Sequence, residues 1–223
     1  MSFPPRYHMA PKSRRITGEA SRAKAVREAL ALFATSGFKG TTIARLAAGT
    51  GLSQSGLLHH FPSKAKLLSA VLEARDAEDG EFLNTEHGEA PMGWEAFDAL
   101  QALVARNSSR PQFVGLYVKM AAEAVEEDHP AHEWLENRYA AMKEWLTDAV
   151  RFGQVRGEIV SDAPVDHLVR TTIAVLDGLQ QQWLIDPSKF SMVEAFGFHI
   201  AGLRACWQVT EMESASAALS AVT

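Results

Sequence analysis

A single cysteine, Cys206, stands in the 223 residues, which excludes an internal disulfide framework and any cysteine-built metal site. On a helical stretch such a residue is expected as a small buried hydrophobe. No apolar run approaches the roughly 20 residues a bilayer span needs. The opening MSFPPRYHMAPKSRR lacks the apolar centre of a signal peptide, so a cytoplasmic protein without membrane contact is expected. Catalytic signatures are also missing: there is no Gly-x-Ser-x-Gly elbow, P-loop, Gly-x-Gly-x-x-Gly or paired metal motif. GLSQSG approaches an elbow only superficially, because its serines are out of phase. Neither an enzyme nor a bound cofactor is expected. Strand patterns are confined to the fragment GEIV, too short to build a sheet, and no internal repeat is visible.

Acidic residues are scarce at one end. Residues 1–75 hold twelve Lys and Arg against three Asp and Glu, a net of +9, whereas residues 76–223 hold ten against twenty-four, a net of −14. This asymmetry suggests a small basic module that meets a polyanion, joined to an acidic body that does not. Solvated basic faces and a basic arm at Arg6, Lys12, Arg14 and Arg15 are the plainer explanation. At 47% apolar the chain has enough material for one large or two small cores.

What is there in abundance is helical periodicity. Val26, Ala29, Leu30 and Phe33 follow a helical stripe that Gly37 stops. Thr41 or Thr42 then caps a short helix with Ile43, Leu46 and Ala47 inward, broken by Gly51. A second short helix runs from Ser53 to His60. Pro62 ends it, and Ser63 caps a longer one with Leu67, Leu68, Val71 and Leu72 inward. Five more helices are expected at 93–107, 111–127, 131–153, 164–185 and 189–210, separated by segments rich in Gly, Pro, Asp or Ser. The fold class is all-α: a three-helix head with a helix-turn-helix, then a helical bundle. Its parts are a flexible basic arm at 1–18, a head at 19–62, a body at 63–210 and a flexible tail at 211–223.

The stretch GLSQSGLLHHFPSK shows why the head should bind DNA. Two short helices cross steeply only if the first has a small residue at closest approach, the turn accepts positive φ and the second returns an apolar residue. Ala47, Gly51 and Leu57 occupy those points, with Leu46 and Leu52 completing the small core. The outward face then carries Ser53, Gln54, Ser55, Gly56, His59 and His60. Short polar side chains let a helix enter a major groove about 12 Å wide, where Gln pairs with adenine and Ser or His reaches bases or phosphates. An ordinary helical hairpin with a solvated polar face is the rival, and the basic arm and Lys64 argue against it.

Residues 21–72, with the stretch ALALFATSGFKGTTIARLAAGTGLSQSGLLHHFPSKAKLLSAVL, resemble the DNA-binding region of the tetracycline-repressor (TetR) family of bacterial transcription regulators. The resemblance implies a homodimer of all-α subunits with DNA-reading N-terminal helices and a C-terminal domain that senses a small molecule. Its DNA contacts fall on Thr41 or Thr42, on Gln54, Ser55, Gly56, His59 and His60, and on Lys64 at the start of the fourth helix, where the dipole favours phosphate. The chain departs from the family in having Leu58 where Tyr is usual, Ser55 for Gly, and Gly56 for Thr or Ser.

Beyond the head the readings are chemical. Glu126, His129, His132 and Glu133 offer half of a carboxylate metal site, but no facing Glu-x-x-His completes it, and surface capping beside Pro130 is expected. Trp94, Phe97, Phe113, Tyr117, Met120, Trp134, Tyr139, Met142 and Trp183 lie on several helices and are candidates to line a largely apolar effector pocket, with polar tips from Gln180, Gln181 or Gln182. Core filling is the usual fate of such residues. Residues 164–210 are the expected homodimer seam, through Leu168, Ile173, Leu176, Leu179, Phe196, Ile200, Leu203 and Trp207, with Gly178, Gly197 and Gly202 allowing close approach. The function expected is a repressor that binds an inverted-repeat operator in double-stranded DNA and is released by a small effector, the fourth helix linking pocket to head. The alternative is an adaptor of the same fold without sequence-specific DNA binding.

Overall fold

A computed structural model describes residues 12–84 and 90–210. Nine helices are found there: α1 (Lys12–Ser36), α2 (Ile43–Thr50), α3 (Gln54–His60), α4 (Lys64–Leu83), α5 (Trp94–Ser108), α6 (Pro111–Glu123), α7 (His132–Val155), α8 (Val165–Ile185) and α9 (Met192–Trp207). Local chemistry sets several of their ends. Thr42, Ser53, Ser63 and Ser191 each accept a backbone N–H from three residues ahead, satisfying one of the donors every helix start leaves unpaired. Gly37 and Gly51 close α1 and α2 at φ 68° and 72°, a conformation other residues rarely adopt.

The structure moves several expected boundaries. Helix α1 begins at Lys12, inside the arm placed at 1–18, because Lys, Arg, Glu and Ala are good helix formers. The part of that arm before Lys12, and the tail at 211–223, lie outside the described residues. Helix α6 stops at Glu123, short of residue 127, since Glu126, Glu127 and Asp128 would load the negative end of its dipole. Helix α9 is trimmed to Met192–Trp207: Ser191 caps it, and beyond it the chain pairs with the GEIV fragment through an antiparallel bridge, Ile159 to Gln208. Cys206 is exposed on α9, not buried.

Two apolar cores result. The first joins Ala29 and Phe33 of α1, Leu46 and Ala47 of α2, Leu57 of α3 and Leu67, Leu68 and Val71 of α4, and continues into Leu116, Tyr117 and Met120 of α6. Packing therefore crosses the boundary placed after residue 62. The second gathers Phe97 and Leu100 of α5, Leu146 and Val150 of α7, Val169 and Leu176 of α8, and Phe196 and Ile200 of α9. Each fully buried Leu or Phe contributes about 1.5–3 kcal/mol over an exposed one. Of the residues expected at the dimer seam, Leu168, Leu176, Phe196 and Ile200 are spent in this second core. Gly197 serves an intrachain approach, since a Cβ there would meet the Gln101 amide at 2.5 Å. No helix among the described residues is long and apolar enough to cross a membrane.

Candidate nucleic-acid interface and ligand cavity

The corner between α2 and α3 is built from backbone outward. Leu52 N donates to Ala47 O at 3.1 Å and Gly51 N to Ala48 O at 3.3 Å, the paired bonds of a left-handed helix terminus. A Cβ on Gly51 would find its nearest neighbour, the Lys24 ammonium, 3.5 Å away, so φ and not space demands glycine. Leu46, Ala47 and Leu57 are buried beneath this turn.

With Leu57 inward, Gln54, Ser55 and His59 are exposed on α3, and Gly56 and His60 are half-buried. Ser53 caps the helix by accepting Gly56 N at 3.0 Å, and its hydroxyl lies 3.1 Å from that of Ser55. Leu58 joins this face at 39% exposure, an apolar surface without a hydrogen-bonding group for a phosphate. Thr42 is exposed but occupied as the α2 cap.

Two expected contact residues are committed inside the protein. Thr41 is buried and donates its hydroxyl to Gly37 O at 2.7 Å, because the α1–α2 turn folds over it. The Lys64 ammonium donates to Phe38 O and Thr41 O, both at 2.8 Å, and sits 4.0 Å from the centre of the Phe38 ring. Two of its three protons are thereby used on carbonyls of the α1–α2 loop. What this position retains for a phosphate is the positive start of α4.

A cavity of about 420 Å³ opens between α4, α5 and α7, lined by Asp76, Asp79, Leu83, Leu103, Arg138, Ala141, Met142 and Trp145. Two voids of about 20 and 10 Å³ share Arg138 and Met142 with it and are lined by Asn107, Leu176, Gln180, Tyr117, Tyr139 and Asp177. Its walls are apolar and one side is charged. Arg138 Nη1 is 2.6 Å from Asp76 Oδ1, whose other oxygen accepts Trp134 Nε1 at 2.5 Å. Buried Arg75 lies 3.2 Å from Asp79 Oδ2, at an angle that leaves this oxygen without a proper hydrogen bond. Asn107 Oδ1 also has no hydrogen-bond partner. Tyr117 and Tyr139 donate to the two oxygens of Asp177 at 2.8 and 2.7 Å.

Burial dominates the titration of this network. Desolvation, aided by the charge of Arg138 and opposed by Asp79 and Asp76, pushes Arg75 down to about 10. Burial raises the Asp177 carboxyl above its ordinary range, against the two tyrosine hydrogen bonds and Arg138. It also raises the Tyr117 and Tyr139 phenols.

Of the nine residues expected around a pocket, the structure brings Tyr117, Tyr139 and Met142 together at these voids. Trp134 stands behind the wall, holding Asp76. Trp94 lies apart, on an open cleft of about 710 Å³ with Asp98, Phe152, Arg156 and Arg204. Phe97, Phe113, Met120 and Trp183 are core, since large side chains on helices whose stripes face inward are consumed in packing. Gln180 faces the voids, and Gln181 and Gln182 face solvent. Sequence reasoning missed Arg75, Asp76, Asp79, Asn107, Arg138 and Asp177. A signal existed for two: Arg75 and Asp79 fall on the stripe of Leu68, Val71 and Leu72, where a solvated helix face would not put them.

The Glu-x-x-His cluster disperses into local ties. Glu126 pairs with Lys39, His129 is buried beside Glu123, and His132 Nδ1 lies 2.8 Å from Ala124 O. Among the described residues, no three possible metal ligands gather.

Residues 25–71 match the family described as bacterial regulatory proteins, tetR family, and residues 96–205 match that described as BetI-type transcriptional repressor, C-terminal. A TetR transcriptional regulator from Chloroflexus aurantiacus J-10-FL has a similar structure, with TM-score 0.74 and 23% identity over 87% of this chain and 99% of that one. A Saccharomonospora viridis protein solved in complex with choline is similar at TM-score 0.71 and 18% identity, over 86% and 100%. SmeT, the repressor of the Stenotrophomonas maltophilia multidrug efflux pump SmeDEF, has TM-score 0.68 and 16% identity over 87% and 93%, and has also been solved with triclosan. At these identities the likeness is one of fold. No curated protein matches the sequence.

Proposed function

The chain belongs to the tetR family of bacterial regulatory proteins, and from that premise we propose a homodimeric repressor that holds an inverted-repeat operator until a small molecule enters the cavity between α4, α5 and α7. The α2–α3 corner is the observation that carries the reading. It leaves Gln54, Ser55 and His59 exposed and spends none of them in packing. Gln54 pairs with an adenine edge, Ser55 and His59 reach bases or phosphates, and the start of α4 holds a phosphate. Leu58 offers an apolar contact for a thymine methyl.

A second copy covers the outer sides of α8 and α9. Phe198 and Ile185 are 83% and 82% exposed, and Ala201, Gly202 and Ala205 extend the Phe198 face of α9 at helical spacing. Nothing lies within 4 Å of the place a Gly202 Cβ would occupy, so a partner helix can approach closely. Two heads about 34–36 Å apart then read half-sites one turn of DNA apart.

The effector this cavity suits has an apolar body and one polar end that meets Asp79, Arg138 or Asn107. If it binds a conformation with wrongly spaced heads, effector and operator oppose each other by one coupling energy, typically about 1–3 kcal/mol. Such a protein works in the cytoplasm, where its operator lies. Selecting preferred duplexes from a random pool with the purified full chain tests the reading. A palindrome with half-sites about one turn apart is the expected outcome, and recovery of no preferred sequence at moderate salt would overturn it.

A further inference from the structure

The α1–α2 loop, Gly37 to Thr41, is held from two sides, by α4, which lines the cavity, and by α6, which reaches the small voids beside it. Two of the loop's N–H groups go to α6: Glu123 Oε2 accepts Phe38 N at 2.9 Å and Lys39 N at 3.4 Å. Its carbonyls go to α4, through the Lys64 ammonium on Phe38 O and Thr41 O. The Phe38 ring lies between that ammonium and the ring of buried His129, whose centre is 5.3 Å away. His129 Nδ1 accepts Ala131 N, which puts the ring proton on Nε2, 3.3 Å from Glu123 Oε2 but without a hydrogen bond to it.

The placement of Glu123 is unfavourable for its own helix. A carboxylate at the last residue of α6 sits at the negative end of the dipole, and the Phe38 and Lys39 N–H groups offset that, helped by the charge of the Lys39 ammonium. Gly37 makes room for it, since a Cβ there would run into the carboxylate. Gly115 brings α6 against α1 just below, where its Cβ would lie 3.6 Å from Ala34 O.

We propose that the Gly37–Thr41 loop is the joint through which the body sets the angle of the DNA-reading head, with Glu123 of α6 and Lys64 of α4 as its positioning residues. About 9 Å of helix separates Glu123 from Tyr117 at the small voids. Lys64 opens the helix that carries Asp76 and Asp79 in the cavity wall. A shift of either helix therefore reaches the loop directly, and the loop leads straight into Thr42, whose side chain caps α2 by accepting Arg45 N. The inference rests on the proposed operator binding and adds which side chains fix head spacing.

The test uses the full chain with Glu123→Ala and Glu123→Gln, the selected inverted repeat, a single half-site duplex, and amide exchange at Phe38 and Lys39. For Glu123→Ala, binding to the inverted repeat weakens by about tenfold or more, half-site binding stays within about twofold, and the two amides exchange at least about tenfold faster. Glu123→Gln, which keeps a carbonyl acceptor, falls between. Unchanged affinity for the inverted repeat would overturn the proposal, as would equal losses on half and whole sites. Protection lost throughout α1 and α4 would overturn it too, reducing Glu123 to a structural tie. Should the wild type bind no duplex, operator binding fails by itself, and unchanged exchange at Phe38 in Glu123→Ala would separately refute the clamp.

Discussion

Head and body use polar groups in opposite ways. On α3 the polar residues face outward, and the corner beneath them is closed by apolar side chains, backbone hydrogen bonds and the uncharged hydroxyls of Thr50 and Ser53. In α4 two charges face inward: Arg75 and Asp79 are each 3% exposed and belong to a network that reaches Asn107 and Arg138. Burying charges is costly unless they are paired, so a body built this way is constrained by its cavity, whereas a head built the other way is free to vary its reading face. The difference teaches which substitutions unfold the protein and which merely blind it.

The largest effect is expected at Asp79. Asp79→Ala leaves Arg75 buried with a poorer partner and is expected to destabilise the chain by about 3–5 kcal/mol in denaturant unfolding. A loss under about 1 kcal/mol would mean that solvent reaches the network freely. Gln54→Ala should leave unfolding within about 0.5 kcal/mol and cost about 1–3 kcal/mol at one base position of the operator. A uniform loss over all sequences would assign Gln54 to the phosphates instead. Lys64→Ala sharpens the boundary between the two regions. Its ammonium is spent internally, so unfolding should move by about 1.5 kcal/mol, the low end for charged hydrogen bonds because the group is part-exposed. The salt dependence of DNA binding should hardly change, whereas a slope reduced by about one unit would return Lys64 to the phosphate backbone.

Smaller effects follow. Gly51→Ala forces φ 72° on a residue with a Cβ and should cost about 1 kcal/mol, read as a lowered unfolding midpoint. Asp177→Asn tests the cavity by pH. A carboxyl raised by burial binds its proton more tightly in the folded chain, so stability falls as pH rises above about 4 through the folded value. The Asn variant should lose that fall, and an identical pH profile would place Asp177 in a solvated setting.

Much of the head was legible because its determinants are local. Thr42, Ser53 and Ser63 cap the helices expected of them, and Gly51 takes the positive φ the corner required. The internal bonds of Thr41 and Lys64 were not legible, because their partners, Gly37, Phe38 and the Thr41 carbonyl, are fixed by how the α1–α2 loop folds back, which no spacing encodes. In the body the helices could be read but not their faces. Phe97, Phe113, Met120 and Trp183 share a spacing with Tyr117 and Tyr139, and only three-dimensional packing decides which of them meet a void. The outer face of α9 was similarly hidden, since Phe198 stands two residues from buried Phe196 and Ile200.

Operator selectivity is expected to reside on the exposed face of α3, and a titration against the selected operator and a scrambled duplex tests this most directly. With Gln54→Ala, Ser55→Ala and His59→Ala combined, the chain should unfold at the wild-type midpoint yet bind the two duplexes equally. A variant that folds normally and still prefers the operator as strongly as the wild type would contradict it.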